Sequence, residues 1–258
     1  MSSKIPSIVY EGFGYIVNAT SDDYDNITSW MNLCNPIENS TDLEALYEHI
    51  ENGYAYMAMT NYPYPSNFLE PMPAWPVSET HWSFDNVPET STTGDDWQRK
   101  KLVLTALYNS SQVYYSYYNF SQCFDFSDVE GTGNLDGYGW NVLACNQLAM
   151  PTADCGNTMF VDNPFDYTQY ADYCAKYFKL YPQYDFVFEY FGGLEPELDF
   201  STCTNIIFSN GQLDPWATGG VLENVGECTA IYITESAHHL DLRLPNPADP
   251  ASVTDARA

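Results

Sequence analysis

Thr204-Asn-Ile-Ile-Phe-Ser-Asn-Gly-Gln-Leu-Asp214-Pro-Trp216 and Thr229-Ala-Ile-Tyr-Ile-Thr-Glu-Ser-Ala-His238-His239-Leu-Asp-Leu-Arg243 decide how this chain folds. Residues 205–208 and 230–233 are short apolar runs of the kind that form buried parallel strands. Each run is followed at once by a chemically active side chain, a carboxylate after the first and two imidazoles after the second. Asn210-Gly211 predicts a tight turn, and Pro215 fixes the backbone after Asp214, so that one acid is aimed. An Asp-Pro by itself is an ordinary turn. Beside a histidine it becomes an acid that holds Nδ1–H while Nε2 takes a proton from a hydroxyl. Adjacent histidines could also suggest a metal, but neighbours in an extended segment point opposite ways. No metal and no cofactor are expected, and His49 and His81 read as packing or surface residues.

The cysteines fit the same geometry. Cys203 and Cys228 each lie near the start of one of the two runs; in neighbouring parallel strands they share one sheet end, where a disulfide forms if the Cα separation is below about 7 Å. A Cys203–Cys228 bridge is therefore expected. The other cysteines are Cys34, Cys123, Cys145, Cys155 and Cys174, with no Cys-x-x-Cys and no spacing suited to zinc. Asn-x-Ser/Thr sequons begin at Asn18, Asn26, Asn39, Asn109 and Asn119, which with the cysteines suggests a secretory, oxidising history. The start, Met-Ser-Ser-Lys-Ile-Pro-Ser, lacks the apolar run of a signal peptide, so that either the true amino terminus lies upstream or the protein is cytosolic. No run approaches the ~18 apolar residues of a membrane span.

The net charge of −27 on 258 residues opposes binding to nucleic acid or anionic membranes. It also keeps a protein soluble at about pH 5, where carboxylates of ordinary pKa near 4 stay charged. Composition changes near Asp199, dividing the chain into residues 1–199, helices and aromatic loops, and residues 200–258, strand and loop. Thr41-Asp-Leu-Glu44 predicts a capping box opening a helix with Leu43, Leu46, Tyr47 and Ile50 on one face. Asp95 to about Tyr118 predicts a second helix, with Leu104, Leu107 and Tyr108 in register. Tyr167, Tyr170, Ala171, Cys174, Tyr177 and Phe178 predict a third, stopped before Pro182. All three stripes are expected in a core. Residues 62–76 carry five prolines and must form an extended aromatic loop. Asp249-Pro250 reads as an N-cap followed by the first residue of a short helix.

Phe208-Ser-Asn-Gly-Gln-Leu-Asp-Pro-Trp216, Gly219-Gly220-Val221, Ala237-His-His-Leu-Asp-Leu-Arg243 and Asp249-Pro-Ala-Ser-Val253 resemble the serine peptidase family typified by lysosomal prolyl carboxypeptidase and dipeptidyl peptidase II. The Pro-rich stretch 59–76, Gly139-Trp140, and Ala144-Cys145 through Met150-Pro151 resemble that family's helical insertion. The resemblance implies an α/β fold, in which residues 200–258 are the carboxyl-terminal part of an α/β-hydrolase sheet and residues 1–199 a mostly helical cap. It implies that Asp214 is the triad acid and His238 the base, with the alternative assignment to His239 left open. It also implies that Trp216 and Met150 line a pocket for proline, as a flat indole and a flexible thioether would suit a rigid apolar ring. By the same resemblance Cys34 pairs with Cys123, Cys145 with Cys174, and Cys155 with a partner upstream of residue 1.

The family's serine sits on a Gly-x-Ser-x-Gly turn, and no such motif occurs in these 258 residues. The expected function is thus a serine exopeptidase cutting peptides next to proline, of which this chain carries two of the three triad members and by itself hydrolyses nothing. Its expected setting is lysosomal, vacuolar or extracellular, with peptide partners, no nucleic acid, no membrane span, and room for a homodimer. Two other functions compete: a catalytically dead secreted or lysosomal binding glycoprotein that kept the cap, and a cytosolic acidic interaction protein with reduced thiols.

Overall fold

The computed structural model describes residues 4–88, 96–120, 123–127, 136–149, 151–154 and 158–258. The chain forms two compact units, Met1–Gly133 with Asp154–Asp162, and Asn134–Ala153 with Asn163–Ala258. The compositional change near Asp199 falls inside the second unit.

The first unit is helical: α1 (Ile5–Val17), α2 (Tyr24–Trp30), α3 (Ser40–Met59), α4 (Pro76–Glu79) and α5 (Asp96–Tyr115). Helix α3 is capped two residues before the expected cap. Asn39 Oδ1 accepts from the Thr41 and Asp42 amides, and the Asp42 carboxylate accepts from the Asn39 amide, so the capping box is Asn39/Asp42 and not Thr41/Glu44. Leu43, Leu46, Tyr47 and Ile50 face inward from α3 as their spacing requires, and Leu104, Leu107 and Tyr108 do so from α5. Helix α5 begins at Asp96, Asp95 lying outside the described residues, and ends at Tyr115 instead of continuing to Tyr118. These side chains join Ile8, Phe13, Ile16, Ile27 and Met57 in one core. Each contributes about 1.5–3 kcal/mol of burial, and the helices persist because of this packing more than through propensity. Arg99 grips Glu11 with two N–H groups at 2.7 and 2.5 Å, and Lys100 meets Asp23 at 2.5 Å, so two adjacent cations tie α5 to α1 and to the entry of α2. His49 is buried and stacked on Tyr115 with centroids 3.9 Å apart, a packing residue. The Pro-rich stretch is held by Ser66 and Met72, which exchange both backbone hydrogen bonds at 3.1 and 2.8 Å.

One buried carboxyl gives this unit a pH dependence. Tyr47 Oη donates to Glu51 at 3.0 Å. Burial, opposed by that hydroxyl and reinforced by the Asp154 and Glu48 carboxyls, pushes Glu51 from an ordinary 4.5 up to about 7. Between those values the folded state holds a proton that the unfolded chain has released. Stability from this group is therefore fully present below about pH 4.5 and lost as pH rises through 7. Glu51→Gln is expected to raise the melting temperature by a few degrees at pH 8 relative to the parent and by much less at pH 5, read by calorimetry at both values. Equal effects at the two pH values would refute this.

The second unit contains α6 (Gly137–Ala144), α7 (Tyr167–Tyr177), α8 (Phe186–Phe191), α9 (Pro196–Asp199), β1 (Thr204–Gly211), β2 (Glu227–Ile233) and α10 (Ala251–Ala256). Strands β1 and β2 are parallel, in register from Ile207↔Thr229 to Gly211↔Ile233. The strand pairing follows the sequence, but the expected burial does not: Ile207 is 68 % exposed, and Ile206 and Tyr232 are exposed too. Two strands pair along one edge only, and with α10 and Phe200 covering part of them, the rest of their faces stays exposed. The α7 stripe is likewise not a core stripe. Only Cys174 is buried, while Tyr167 and Tyr177 are exposed and Tyr170 rests against Phe165 and Tyr184. At α10 the cap is Pro250, and the Asp249 carboxylate turns instead to Arg257.

Among the described residues three disulfides are formed. Cys34–Cys123 and Cys145–Cys174 have Cα separations of 4.9 and 5.3 Å, and Cys203–Cys228 closes the shared end of the two strands at 6.0 Å. Cys155 lies outside the described residues. Among the described residues no helix is long and apolar enough to cross a membrane. Of the sequon asparagines, Asn18, Asn39 and Asn119 are exposed, whereas Asn26 and Asn109 are half-buried, the latter inside α5.

Candidate active site

The loop leaving β1 is fastened to the loop leaving β2. Gln212 N donates to Ile233 O and Leu213 N to Ser236 O, both at 2.9 Å, which continues the ladder past the last strand residues. Asn210 and Gly211 are the last residues of β1, and the tight turn follows directly: Asp214 N donates to Gly211 O at 3.1 Å, with Gln212 and Leu213 between them. Gly211 is required for a different reason. A β-carbon there would collide with the Ser236 carbonyl, so only glycine lets the two loops lie this close.

Asp214 emerges from this junction in extended conformation and caps the 3₁₀ turn Pro215–Gly219. Its two oxygens have separate tasks. Oδ1 accepts from the Trp216 amide at 3.0 Å, which fixes the plane of the carboxylate. Oδ2 meets His238 Nδ1 at 2.8 Å, with the acid and imidazole side chains only 10 % and 16 % exposed. The arrangement selects the tautomer with hydrogen on Nδ1, sets proton exchange at Nε2, and places a fixed negative charge where an imidazolium would form.

The two histidines do not point apart. His239 takes a left-handed backbone, φ 57°, and its ring turns back over His238 with centroids 3.6 Å apart and 26° between planes. The expectation of opposed side chains assumed extended backbone, and the turn removes that condition. Burial, then the neighbouring His238, lowers the His239 pKa below its ordinary value, which favours the neutral form of the stacked ring. Asp214 reaches His238 and not its neighbour. Among the described residues no group of three or more His, Cys, Asp or Glu is placed to hold a metal ion.

Trp216 lies beside the pair, its ring 6.4 Å from His238, and Trp140 of α6 meets Trp216 edge-on at 6.0 Å. The two indoles are 40 % and 46 % exposed, a partly open apolar wall next to the imidazole. Met150 lies outside the described residues. Trp140 was absent from the expected site because nothing local marks it. Its contact with Trp216 spans distant parts of the sequence, and Gly139-Trp140 offered only a family-like dipeptide.

The family described as Serine carboxypeptidase S28 matches residues 8–258. Among curated proteins, lysosomal Pro-X carboxypeptidase of Bos taurus is 36% identical over 88% of this chain and 43% of its own length. The Homo sapiens protein of that name is 35% identical over 90% of this chain and 44% of its own length. A Caenorhabditis elegans protein named prolyl carboxy peptidase like protein 5 is 31% identical over 91% of this chain and 47% of its own length. The chain spans less than half the length of these relatives.

Proposed function

This chain belongs to the serine carboxypeptidase S28 family, and from that premise we propose that it supplies the acid and base of a serine exopeptidase that cuts peptides next to proline. The observation that carries this is the 2.8 Å contact between Asp214 and His238 Nδ1 at the exits of two parallel strands. In the proposed reaction a serine hydroxyl gives its proton to His238 Nε2 as it attacks the carbonyl of proline, and His238 returns the proton to the leaving amine of the next residue. Asp214 holds the imidazole and stabilises its charged form. Trp216 and Trp140 form an apolar wall for the prolyl ring, and Met150 is assigned to the same pocket. Residues 1–199 act as a helical cap and residues 200–258 as the hydrolase segment. The relatives' names favour carboxypeptidase over dipeptidyl peptidase action and a lysosomal setting, in keeping with three disulfides. Asn18, Asn26, Asn39, Asn109 and Asn119 are the proposed glycosylation points. At Asn39 a glycan on Nδ2 would leave Oδ1 to cap α3.

The nucleophile and its oxyanion donors must come from other residues, because these 258 contain no Gly-x-Ser-x-Gly. That same observation favours the second function, a binding glycoprotein without catalysis. The two separate in one experiment. The chain alone and the chain extended through its upstream reading frame are each incubated with a peptide whose penultimate residue is proline. Fluorophosphonate-sensitive release of the terminal amino acid is expected from the extended protein only. Hydrolysis by the 258-residue chain would refute the division of the triad, and an extended protein without a reactive serine would establish the binding function.

A further inference from the structure

We propose that Arg257 is the positioning residue of the base, holding the turn that carries His238 and His239 by its backbone; this rests on the assignment of His238 made above. The guanidinium follows α10 and spreads over three acceptors. Nε donates to Asp241 O at 2.8 Å, Nη2 to Leu240 O at 2.6 Å and Nη1 to Asp249 Oδ2 at 2.7 Å. The two carbonyls belong to the 3₁₀ turn Leu240–Leu242 that follows directly on the histidine pair. A planar fork of fixed N–H directions sets both the distance and the orientation of that turn, which a single ammonium cannot do.

The arginine is itself anchored. Asp249 is 2 % exposed, and its Oδ2 also accepts from the Asn246 amide at 2.7 Å. A carboxylate so deeply buried requires a cation, and Arg257 is the one it meets. Helix α10 is fixed in turn by Val253, which is buried, and by Ser252 Oγ, which donates to Thr234 O at 2.5 Å just beyond β2. From the other side Ser209 Oγ of β1 donates to Asp241 Oδ2 at 2.8 Å. The turn after the histidines is therefore gripped by its carbonyls from α10 and by a side chain from β1. Asp214 is delivered separately, through the strand-exit bonds of Gln212 and Leu213. Those bonds join the acid's loop to Ile233 and Ser236 ahead of the base, whereas Arg257 holds the turn that follows it, so loosening Arg257 should act on the base before it disturbs the strand exits.

The experiment measures solvent exchange of the His238 Nδ1 proton by NMR in the 258-residue chain, with the downfield signal assigned by its loss in His238→Gln. Exchange is expected to quicken about tenfold or more in Arg257→Lys and in Asp249→Asn, while exchange of the Gln212 and Leu213 amides changes by less than about twofold, since the opening is local. If Arg257→Lys does not fold, Asp249→Asn decides, because it removes the charge that anchors the guanidinium and so frees it to leave the two carbonyls. Unchanged Nδ1 exchange in a folded variant, or equal acceleration at all three protons, would overturn the proposal and leave the Asp214–His238 pairing standing. Absence of the downfield signal in the parent chain would overturn both.

Discussion

On the proposed function, Asp214→Asn in the chain extended through its upstream reading frame is expected to lower kcat by about 10³ to 10⁴-fold while KM and the melting temperature stay close to the parent's. The effect is large because the site fixes the new amide the wrong way round. The Trp216 N–H requires an acceptor at the Oδ1 position, 3.0 Å away, so the asparagine oxygen must stay there. Its NH₂ group then occupies the place of Oδ2, 2.8 Å from His238 Nδ1, and one donor faces another. The imidazole escapes by moving its hydrogen to Nε2, the atom that must accept the serine proton. Asparagine nearly matches aspartate in volume, so the fold has no reason to change. Steady-state kinetics on a prolyl peptide, with circular dichroism as a control on folding, decides the matter. A kcat within about tenfold of the parent would mean that Asp214 is not the orienting acid.

Removing the Cys34–Cys123 bridge by paired serine substitution is expected to cost about 4–5 kcal/mol of stability and to lower the melting temperature of the first unit by more than about ten degrees. The closed loop is long, with a sequence separation of 89, and the entropy withheld from the unfolded chain grows with loop length. Backbone pairing accompanies the bridge. Beside it Cys34 N donates to Phe124 O at 2.9 Å and Phe124 N to Asn32 O at 2.8 Å, a single isolated bridge of backbone. Loss of the Cys203–Cys228 bridge, with a separation of 25, should cost about 3.5 kcal/mol. Urea unfolding of the two variants side by side tests the ordering; an equal or smaller loss at Cys34–Cys123 would contradict the loop-entropy account.

What the sequence disclosed and what it withheld divide along physical lines. Local periodicity located α3 and α5 and their inward faces, because a buried stripe repeats every three to four residues. Short Ile-rich runs located β1 and β2, and the residues directly after them brought Asp214 and His238 into contact. Properties fixed by distant partners were not legible. The exposure of Ile207 and of the α7 tyrosines depends on what covers them, which no local pattern encodes. The place of Trp140 against Trp216 and the grip of Arg257 on Leu240 and Asp241 join segments far apart in sequence. Competition among polar residues misled at two helix starts. Thr41 carried the pattern of a cap where Asn39 in fact serves, and Asp249 resembled a cap although its carboxylate goes to Arg257.

The acid and the base hang from Gly211 and Ile233, residues already opposite one another in the sheet. The segment joining them therefore serves as a tether and not as a spacer. Chain length between Pro215 and the start of β2 can drift among descendants of a common ancestor without separating the pair, provided the strand alignment survives. A slip of that alignment by one position would instead carry every side chain beyond it to the opposite side, and no adjustment of the tether could repair the loss.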